Sequence, residues 1–123
     1  MKIKPTEAQI QTALFKWAEL SASKYPELEL MFHIPNGGRR DLIEAYHLKQ
    51  QGTKAGVPDI FLPAPRGTFA GLFLELKSER GRLQDNQKTW LNELSKQGYK
   101  AITVYGFNEA RAAIESYLTD GVN

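Results

Sequence analysis

The chain has 123 residues, of which 41% are hydrophobic, so it is long enough for one compact core and short for two. It contains no cysteine, which excludes disulfide frameworks and thiolate-bound zinc or iron–sulfur centres. The 16 basic and 14 acidic residues give a net charge of +2, which is too small to indicate nucleic-acid binding through overall charge. We therefore predict a single domain over residues 1–123, in which any metal ion is bound by oxygen or imidazole ligands.

Membrane association is not expected from the sequence. No segment resembles a secretory signal, and no apolar run approaches the roughly 20 residues that a membrane-spanning helix needs. We expect a soluble intracellular protein.

The first half of the chain has the pattern of two helices around a strand. The first helix begins after Pro5, with Thr6 as its N-cap and Gln9 as the capping-box partner. A strand over residues 28–34 stops before a turn, and a second helix over residues 40–51 ends at Gly52. The buried stripe of the first helix is predicted to comprise Ile10, Ala13, Leu14, Trp17 and Ala18.

The second half has two strands, a helix, a strand and a helix. The strands at 59–63 and 69–77 form a hairpin that turns near Gly67. A third helix spans 83–97 and ends at Gly98, a last strand spans 99–106, and a last helix spans 108–120 with Asn108 as N-cap. This order predicts an α/β fold, with a mixed β-sheet flanked by helices on both faces.

Two acidic residues come together if the hairpin turns about Gly67. In that register Asp59 lies opposite Glu75, and directly opposed strand residues have Cβ atoms about 4.5 to 5.5 Å apart. Two carboxylates at that distance repel each other unless a cation lies between them, and Mg²⁺, which takes oxygen ligands and retains water, suits the gap. Lys77 follows Glu75 by two residues and so shares its face. Its ammonium group could orient an attacking water or stabilise developing negative charge.

A simpler interpretation of these residues stays open. Glu75 and Lys77 would form a surface ion pair worth about 0 to 1 kcal/mol, and Asp59 would belong to a turn. Gln87 favours a site, because it falls on the apolar stripe of the third helix, where a polar group needs a partner. Glu7 lies on the inward stripe of the first helix, although the helix dipole alone also favours a carboxylate there.

These residues resemble a known family. The runs GVPDI (56–60), LELK (74–77) and GRLQDNQ (81–87) resemble the PD-(D/E)xK nuclease signature as it occurs in VRR-NUC domains, with Pro58-Asp59 and Glu75-Leu76-Lys77 at its centre. The resemblance includes the early helix with Glu7, the NGGRR turn and the KAGVPD loop, and so covers most of the chain. It implies a restriction-endonuclease-like core of the stand-alone bacterial or phage type.

The resemblance also implies an activity, that of a metal-dependent DNA endonuclease. Lys77 would position or activate the attacking water, and Gln87 would support the site. The ion would be Mg²⁺, for which Mn²⁺ substitutes. Its ligands would be Asp59, Glu75, the backbone carbonyl of Leu76 and, directly or through water, Glu7.

The substrate and the setting are expectations from the same resemblance. Small relatives look like homodimeric nucleases related to Holliday-junction resolvases, but this chain lacks the accessory domains with which larger relatives choose a DNA structure. We expect a homodimer that cuts a Holliday junction or other branched DNA in replication, recombination or repair. Its location would be the cytoplasm of a bacterium or of a phage-infected host cell.

Basic residues flank the predicted site, and their side chains could reach phosphates. Short basic clusters are also common on solvated surfaces, and no aromatic residues interleave with these as stacking platforms would require. We therefore expect recognition of the backbone and shape of duplex or branched DNA. The candidate nucleic-acid-binding residues are Asn36, Arg39, Arg40, Lys54, Arg80 and Arg82.

Four alternatives remain at this stage. His33 could approach the site, or it could be a packed or hydrogen-bonded histidine. An apolar surface formed by Phe15, Ile114, Tyr117 and Leu118 could bind a partner subunit, although core packing explains the last helix equally well. The competing function is a non-catalytic nucleic-acid-binding module on the nuclease scaffold, and RNA is an alternative substrate for an enzyme.

Overall fold

The computed structural model describes residues 3–35 and 41–120. The helices of these residues are α1 (Glu7–Ser21), α2 (Leu42–Gln50), α3 (Asp85–Lys96) and α4 (Phe107–Asp120), and a short 3₁₀ helix covers Pro26–Leu30. The strands are β1 (Phe32–His33), β2 (Ile60–Leu62), β3 (Leu72–Lys77) and β4 (Lys100–Tyr105).

The strands form one mixed sheet in the order β1-β2-β3-β4. The first two pairings are antiparallel and the pairing of β3 with β4 is parallel. Ile60 pairs with Leu74 and Leu62 with Leu72. Extending this register by one residue sets Asp59 opposite Glu75, so the predicted hairpin register is confirmed.

The two faces of the sheet differ in chemistry. Glu75 and Lys77 alternate with the leucines of β3 and therefore project from the other face, where Gln87 of α3 contacts Glu75. Helices α1 and α4 pack against the leucine face, and together with α3 they cover both faces, as predicted. The buried residues on the leucine face of β3 are Leu72, Leu74 and Leu76.

Helix α1 begins as predicted. Thr6 Oγ1 accepts a hydrogen bond from the Gln9 amide at 3.1 Å, and Gln9 Oε1 accepts one from the Thr6 amide at 2.9 Å. The buried stripe is narrower than expected, because Ala13 is exposed and Trp17 is only half-buried. The residues of α1 that are buried are Ile10, Leu14 and Ala18.

The strand predicted over residues 28–34 is wrong in most of its length. Pro26 opens a 3₁₀ helix that continues to Leu30, because the fixed φ of proline suits the first turn of a helix. Leu28 and Met31 are buried in the core, so the apolar run that indicated a strand fills the core from a helical turn. The strand itself comprises only Phe32 and His33.

Three helix starts differ from the predicted ones. Helix α2 begins at Leu42, and its N-cap Asp41 accepts a hydrogen bond from the Glu44 amide at 2.8 Å. Helix α3 begins two residues later than predicted, at Asp85. Helix α4 begins at Phe107, so Asn108 lies inside the helix and is not its N-cap. None of the helices in the described ranges is both long and apolar enough to cross a bilayer.

Candidate active site

Strand β3 carries two buried charged side chains at its carboxyl end. Glu75 is 1% exposed and Lys77 is 5% exposed. Lys77 Nζ lies 3.7 Å from Glu75 Oε2. The interpretation of Glu75 and Lys77 as a surface ion pair is therefore wrong in one respect, because the pair is buried. The free-energy cost of removing its two charges from water must be offset by the surrounding groups.

Asp59 is fixed beside Glu75 by the backbone of the next strand. Its Oδ2 accepts a hydrogen bond from the amide of Leu76 at 2.8 Å. Asp59 lies one residue before β2, so its side chain takes an amide that would otherwise have no strand partner. One carboxylate on β3 and one directly before β2 are thus held opposite each other, as the hairpin register predicts.

The proximity of Asp59 changes the acidity of Glu75. Burial, and after it the charge of nearby Asp59, raises the pKa of the Glu75 carboxyl from 4.5 to about 8. Lys77 opposes this effect, and Glu7 adds to it. The group therefore holds a proton near neutral pH when no cation is bound.

Gln87 links α3 to this carboxyl group. Its Nε2 donates to Glu75 Oε2 at 3.1 Å, and its Oε1 accepts from the backbone amide of Gln84 at 2.8 Å. The Gln84 amide thereby fixes which end of the Gln87 side chain faces Glu75. The polar residue on the apolar stripe of α3 has the partner that its position required.

Glu7 approaches the site from the first turn of α1. A Cβ atom added to Gly81 would lie 3.1 Å from Glu7 Oε2 and 3.2 Å from Lys77 Cδ. The missing side chain at position 81 therefore lets the acidic group of α1 come close to the lysine of β3. The role of Glu7 towards a metal ion stays a prediction.

Two observations bear on whether a divalent cation fits. Glu75 Oε1 is buried and has no hydrogen-bond partner, and a buried carboxylate oxygen without a partner is costly. Hard cations such as Mg²⁺ take oxygen ligands of this kind. Within residues 3–35 and 41–120, no three acidic, histidine or cysteine side chains could hold an ion together. Backbone oxygen or water would therefore have to complete the ligand set, as the expected role of Leu76 requires.

Only part of the predicted nucleic-acid surface can be located. Asn36, Arg39 and Arg40 lie outside the described residues. The other three candidates, Lys54, Arg80 and Arg82, are exposed. Their roles stay predictions.

The sequence did not indicate the hydrogen-bond partners of two residues that hold the site, His33 and Trp90. His33 Nδ1 lies 2.8 Å from the carbonyl oxygen of Asp59 and donates to it, so the hydrogen-bonded interpretation of His33 is confirmed. Trp90 Nε1 donates to the carbonyl of Ala55 at 3.1 Å and ties the loop before Asp59 to α3. No sequence pattern indicated the partner of Trp90, because the contact joins residues 35 positions apart.

The apolar residues proposed for a partner subunit are used inside the chain. Ile114, Tyr117 and Leu118 are buried, and Phe15 packs against the same core. The Tyr117 hydroxyl donates to the carbonyl of Ala64 at 2.6 Å. The partner-surface interpretation of α4 is therefore wrong, and core packing explains its apolar residues.

Comparisons with known proteins agree with this geometry. The family model of the VRR-NUC domain matches residues 5–108. A solved structure described as a VRR_NUC domain protein is similar to this chain with a TM-score of 0.80 and 28% sequence identity, over 94% of this chain and 89% of the other. No curated protein sequence matches the chain significantly.

Proposed function

Because the chain belongs to the VRR-NUC family, a family of the nuclease type, we propose that it is a metal-dependent endonuclease that hydrolyses phosphodiester bonds in DNA. The observation that carries the proposal is the buried carboxyl group of Glu75. It lies beside Asp59, Lys77 and Gln87, and its Oε1 has no partner. A purely structural carboxylate would be expected to have its oxygens satisfied.

The proposed ion is Mg²⁺ or Mn²⁺, which would be held by Asp59, Glu75 and the carbonyl of Leu76. Glu7 would contribute through water, because no three acidic side chains of the described residues could hold an ion together. When bound, such an ion supplies Lewis-acid stabilisation of phosphate charge and lowers the pKa of water.

The protein groups provide the remaining functions. Lys77 Nζ lies beside the Glu75 carboxyl, and its ammonium group can position the attacking water or stabilise negative charge on the phosphate. Gln87 keeps Glu75 Oε2 in place through a hydrogen bond. Because the Leu76 amide restrains Asp59, the two acidic groups are organised before substrate binds.

The proposed substrate is branched DNA, with the Holliday junction as the leading candidate and a homodimer as the acting form. A two-fold symmetric protein suits a four-way junction, in which two opposed strands are cut as a pair. Arg80, Arg82 and Lys54 are proposed to contact the phosphate backbone, together with the basic residues at 39 and 40.

A cleavage panel tests the activity. Labelled duplex, flap, splayed-arm, single-stranded and four-way-junction DNA are incubated with Mg²⁺ or Mn²⁺, with EDTA as the metal-free arm and a single-stranded RNA as an added substrate. We expect Asp59→Asn, Glu75→Gln and Lys77→Met each to lower the cleavage rate at least about a hundredfold. Lys96→Gln, at the exposed end of α3, is the control and should leave the rate unchanged.

The competing function is a non-catalytic nucleic-acid-binding module. It predicts binding of the same DNA without cleavage at any metal concentration, and no effect of Glu75→Gln on affinity. Cleavage of the flap but not of the junction would support the enzyme and contradict the paired-cut substrate.

A further inference from the structure

A cleft next to the candidate active site is not used by the proposed chemistry. It has a volume of about 690 Å³ and lies between α2, the loop at residues 53–56 and the first turn of α3. Gln87 lines it and also donates to Glu75. The cleft therefore opens directly beside the residue with which the proposed function holds Glu75 in place.

The lining residues divide into a cationic part and an apolar part. Lys49 and Lys54 provide two ammonium groups, and Ala45 and Leu48 provide an apolar wall on α2. Asn86 adds a side-chain amide that can donate or accept hydrogen bonds. Among the described residues that line the cleft, none is acidic, so no carboxylate of the lining would repel an anion there.

The floor of the cleft is held in place by two close contacts. Gly56, at φ +90°, lies so close to Asn86 that an added Cβ would be 2.9 Å from the Asn86 backbone carbon. The Trp90 indole donates to the carbonyl of Ala55. The loop and α3 therefore form one surface on this side of the cleft.

We propose that this cleft receives one unpaired nucleotide of the substrate strand next to the scissile phosphate. Its phosphate would contact Lys49 and Lys54, and its base would lie against Ala45 and Leu48. Single-stranded nucleic acid is commonly bound by a cationic groove that follows the backbone together with aromatic side chains on which bases stack. In this cleft the aliphatic side chains of Ala45 and Leu48 would provide the apolar contact with the base instead. The volume is in the range of about 300 to 1,000 Å³ that accommodates one small ligand, which suits a nucleotide and is too small for a duplex.

This inference rests on the proposed function, but its test measures binding and not cleavage. The protein carries Glu75→Gln so that the strand stays intact. The probes are a fluorescein-labelled duplex with a single-stranded arm and the same duplex fully paired. Fluorescence anisotropy gives the dissociation constant of each probe at several salt concentrations. The proteins compared are the Glu75→Gln variant and three double variants that also carry Lys49→Gln, Lys54→Gln or Ala45→Trp.

We expect each lysine substitution to weaken binding of the armed duplex about fivefold and to reduce the slope of log affinity against log salt by about 0.7, the value for a phosphate of a single strand. The fully paired duplex should change less. Ala45→Trp, which fills the cleft without changing charge, should also weaken binding of the armed duplex selectively. Lys96→Gln removes a positive charge from the far end of α3 and should change neither probe. Far-UV circular dichroism verifies that every variant is folded.

Three outcomes would overturn the inference. Equal effects of Lys49→Gln, Lys54→Gln and Lys96→Gln would show diffuse electrostatic attraction. Unchanged binding in Ala45→Trp would show that nothing enters the cleft. Absence of salt-dependent DNA binding by the Glu75→Gln protein would remove the nucleic-acid role altogether. Failure of the unaltered chain to cleave DNA is a separate result and concerns the proposed function alone.

Discussion

At the scale of single residues, Glu75 is the most unusual group in the described structure. Its carboxyl group is buried and faces Asp59. The pKa of this group is about 8, so it keeps its proton at neutral pH. A carboxyl group that serves only stability is expected to have a pKa below its ordinary value, because its partners favour the charged form. The environment of Glu75 disfavours that form unless a further cation is supplied. Metal binding would then displace a proton, and metal affinity would increase with pH.

The raised pKa of Glu75 predicts how the stability of the metal-free protein depends on pH. Below pH 4.5 the carboxyl is protonated in both the folded and unfolded states. Between pH 4.5 and about 8 the unfolded chain releases the proton while the folded chain retains it. The folded state then binds more protons, so this group makes the free energy of unfolding decrease as pH rises, by on the order of a few kcal/mol in total. Above pH 8 its contribution becomes constant.

Urea denaturation in EDTA at several pH values measures this dependence. Glu75→Gln removes the titrating proton and keeps the shape of the side chain, so the decrease between pH 5 and about 8 should become much smaller. The variant should also be more stable than the unaltered protein at pH 8. An identical pH profile for the two proteins would contradict the assignment of the titration to Glu75.

At the scale of elements, the hairpin register and the capping of α1 were predictable from the sequence, whereas the predicted N-cap of α4, Asn108, was wrong. A single turn position at Gly67 set Asp59 opposite Glu75, because the period of a strand is two and a hairpin fixes its register. The capping box at Thr6 is also a local signal. Local patterns failed at residues 28–34, where an apolar run suited a strand but Pro26 began a 3₁₀ helix.

The contacts that complete the site are not local, and they could not be predicted. Trp90 bonds to Ala55 and His33 to Asp59 across 35 and 26 positions of the chain. For Gln87, the sequence showed only that a polar residue falls on the apolar stripe of α3 and needs a partner. Its partner became known when the sheet brought Glu75 to the same face.

The close approach of the loop at Gly56 to α3 leads to a prediction about packing. Gly56→Ala adds a Cβ that would lie 2.9 Å from backbone and side-chain carbons of Asn86, at a φ of +90°. Gly52 is a matched control, because its φ is +101° and an added Cβ would meet nothing within 4 Å. We expect Gly52→Ala to cost about 1 kcal/mol through backbone strain alone.

Gly56→Ala should cost about 1 to 3 kcal/mol more than the control because of overpacking. It should also lower the cleavage rate, since the loop leads directly to Asp59. Urea denaturation of both variants provides the comparison. Equal losses of stability in the two variants would mean that the loop can move away from α3 without cost, and that the contact does not position Asp59.

At the scale of the whole molecule, α2 gains little stability from burial within the described chain. None of its nine residues is buried, and isolated helices of that length are marginal in water. Leu42 is 89% exposed, Ile43 73% and Tyr46 59%. Exposed apolar side chains grouped in this way are typical of an interaction surface. Since α4 uses its apolar residues in the core, α2 is the better candidate for the surface of the proposed homodimer.

We therefore expect the protein to be a dimer in solution and Ile43→Glu to convert it to a monomer. In a two-fold interface the same surface of both subunits is in contact. One glutamate per chain therefore introduces two charges into an apolar contact. Leu20→Glu is the control, because Leu20 is 75% exposed on α1 and its replacement should leave the dimer intact. Light scattering coupled to size-exclusion chromatography reports the mass of each protein over a range of concentrations.

A monomeric mass for the unaltered protein at every concentration, or a dimeric mass for Ile43→Glu, would exclude α2 as the dimer surface. In the first case the paired cutting of a four-way junction would also lose its structural basis, because a single active site cannot cut two opposed strands together.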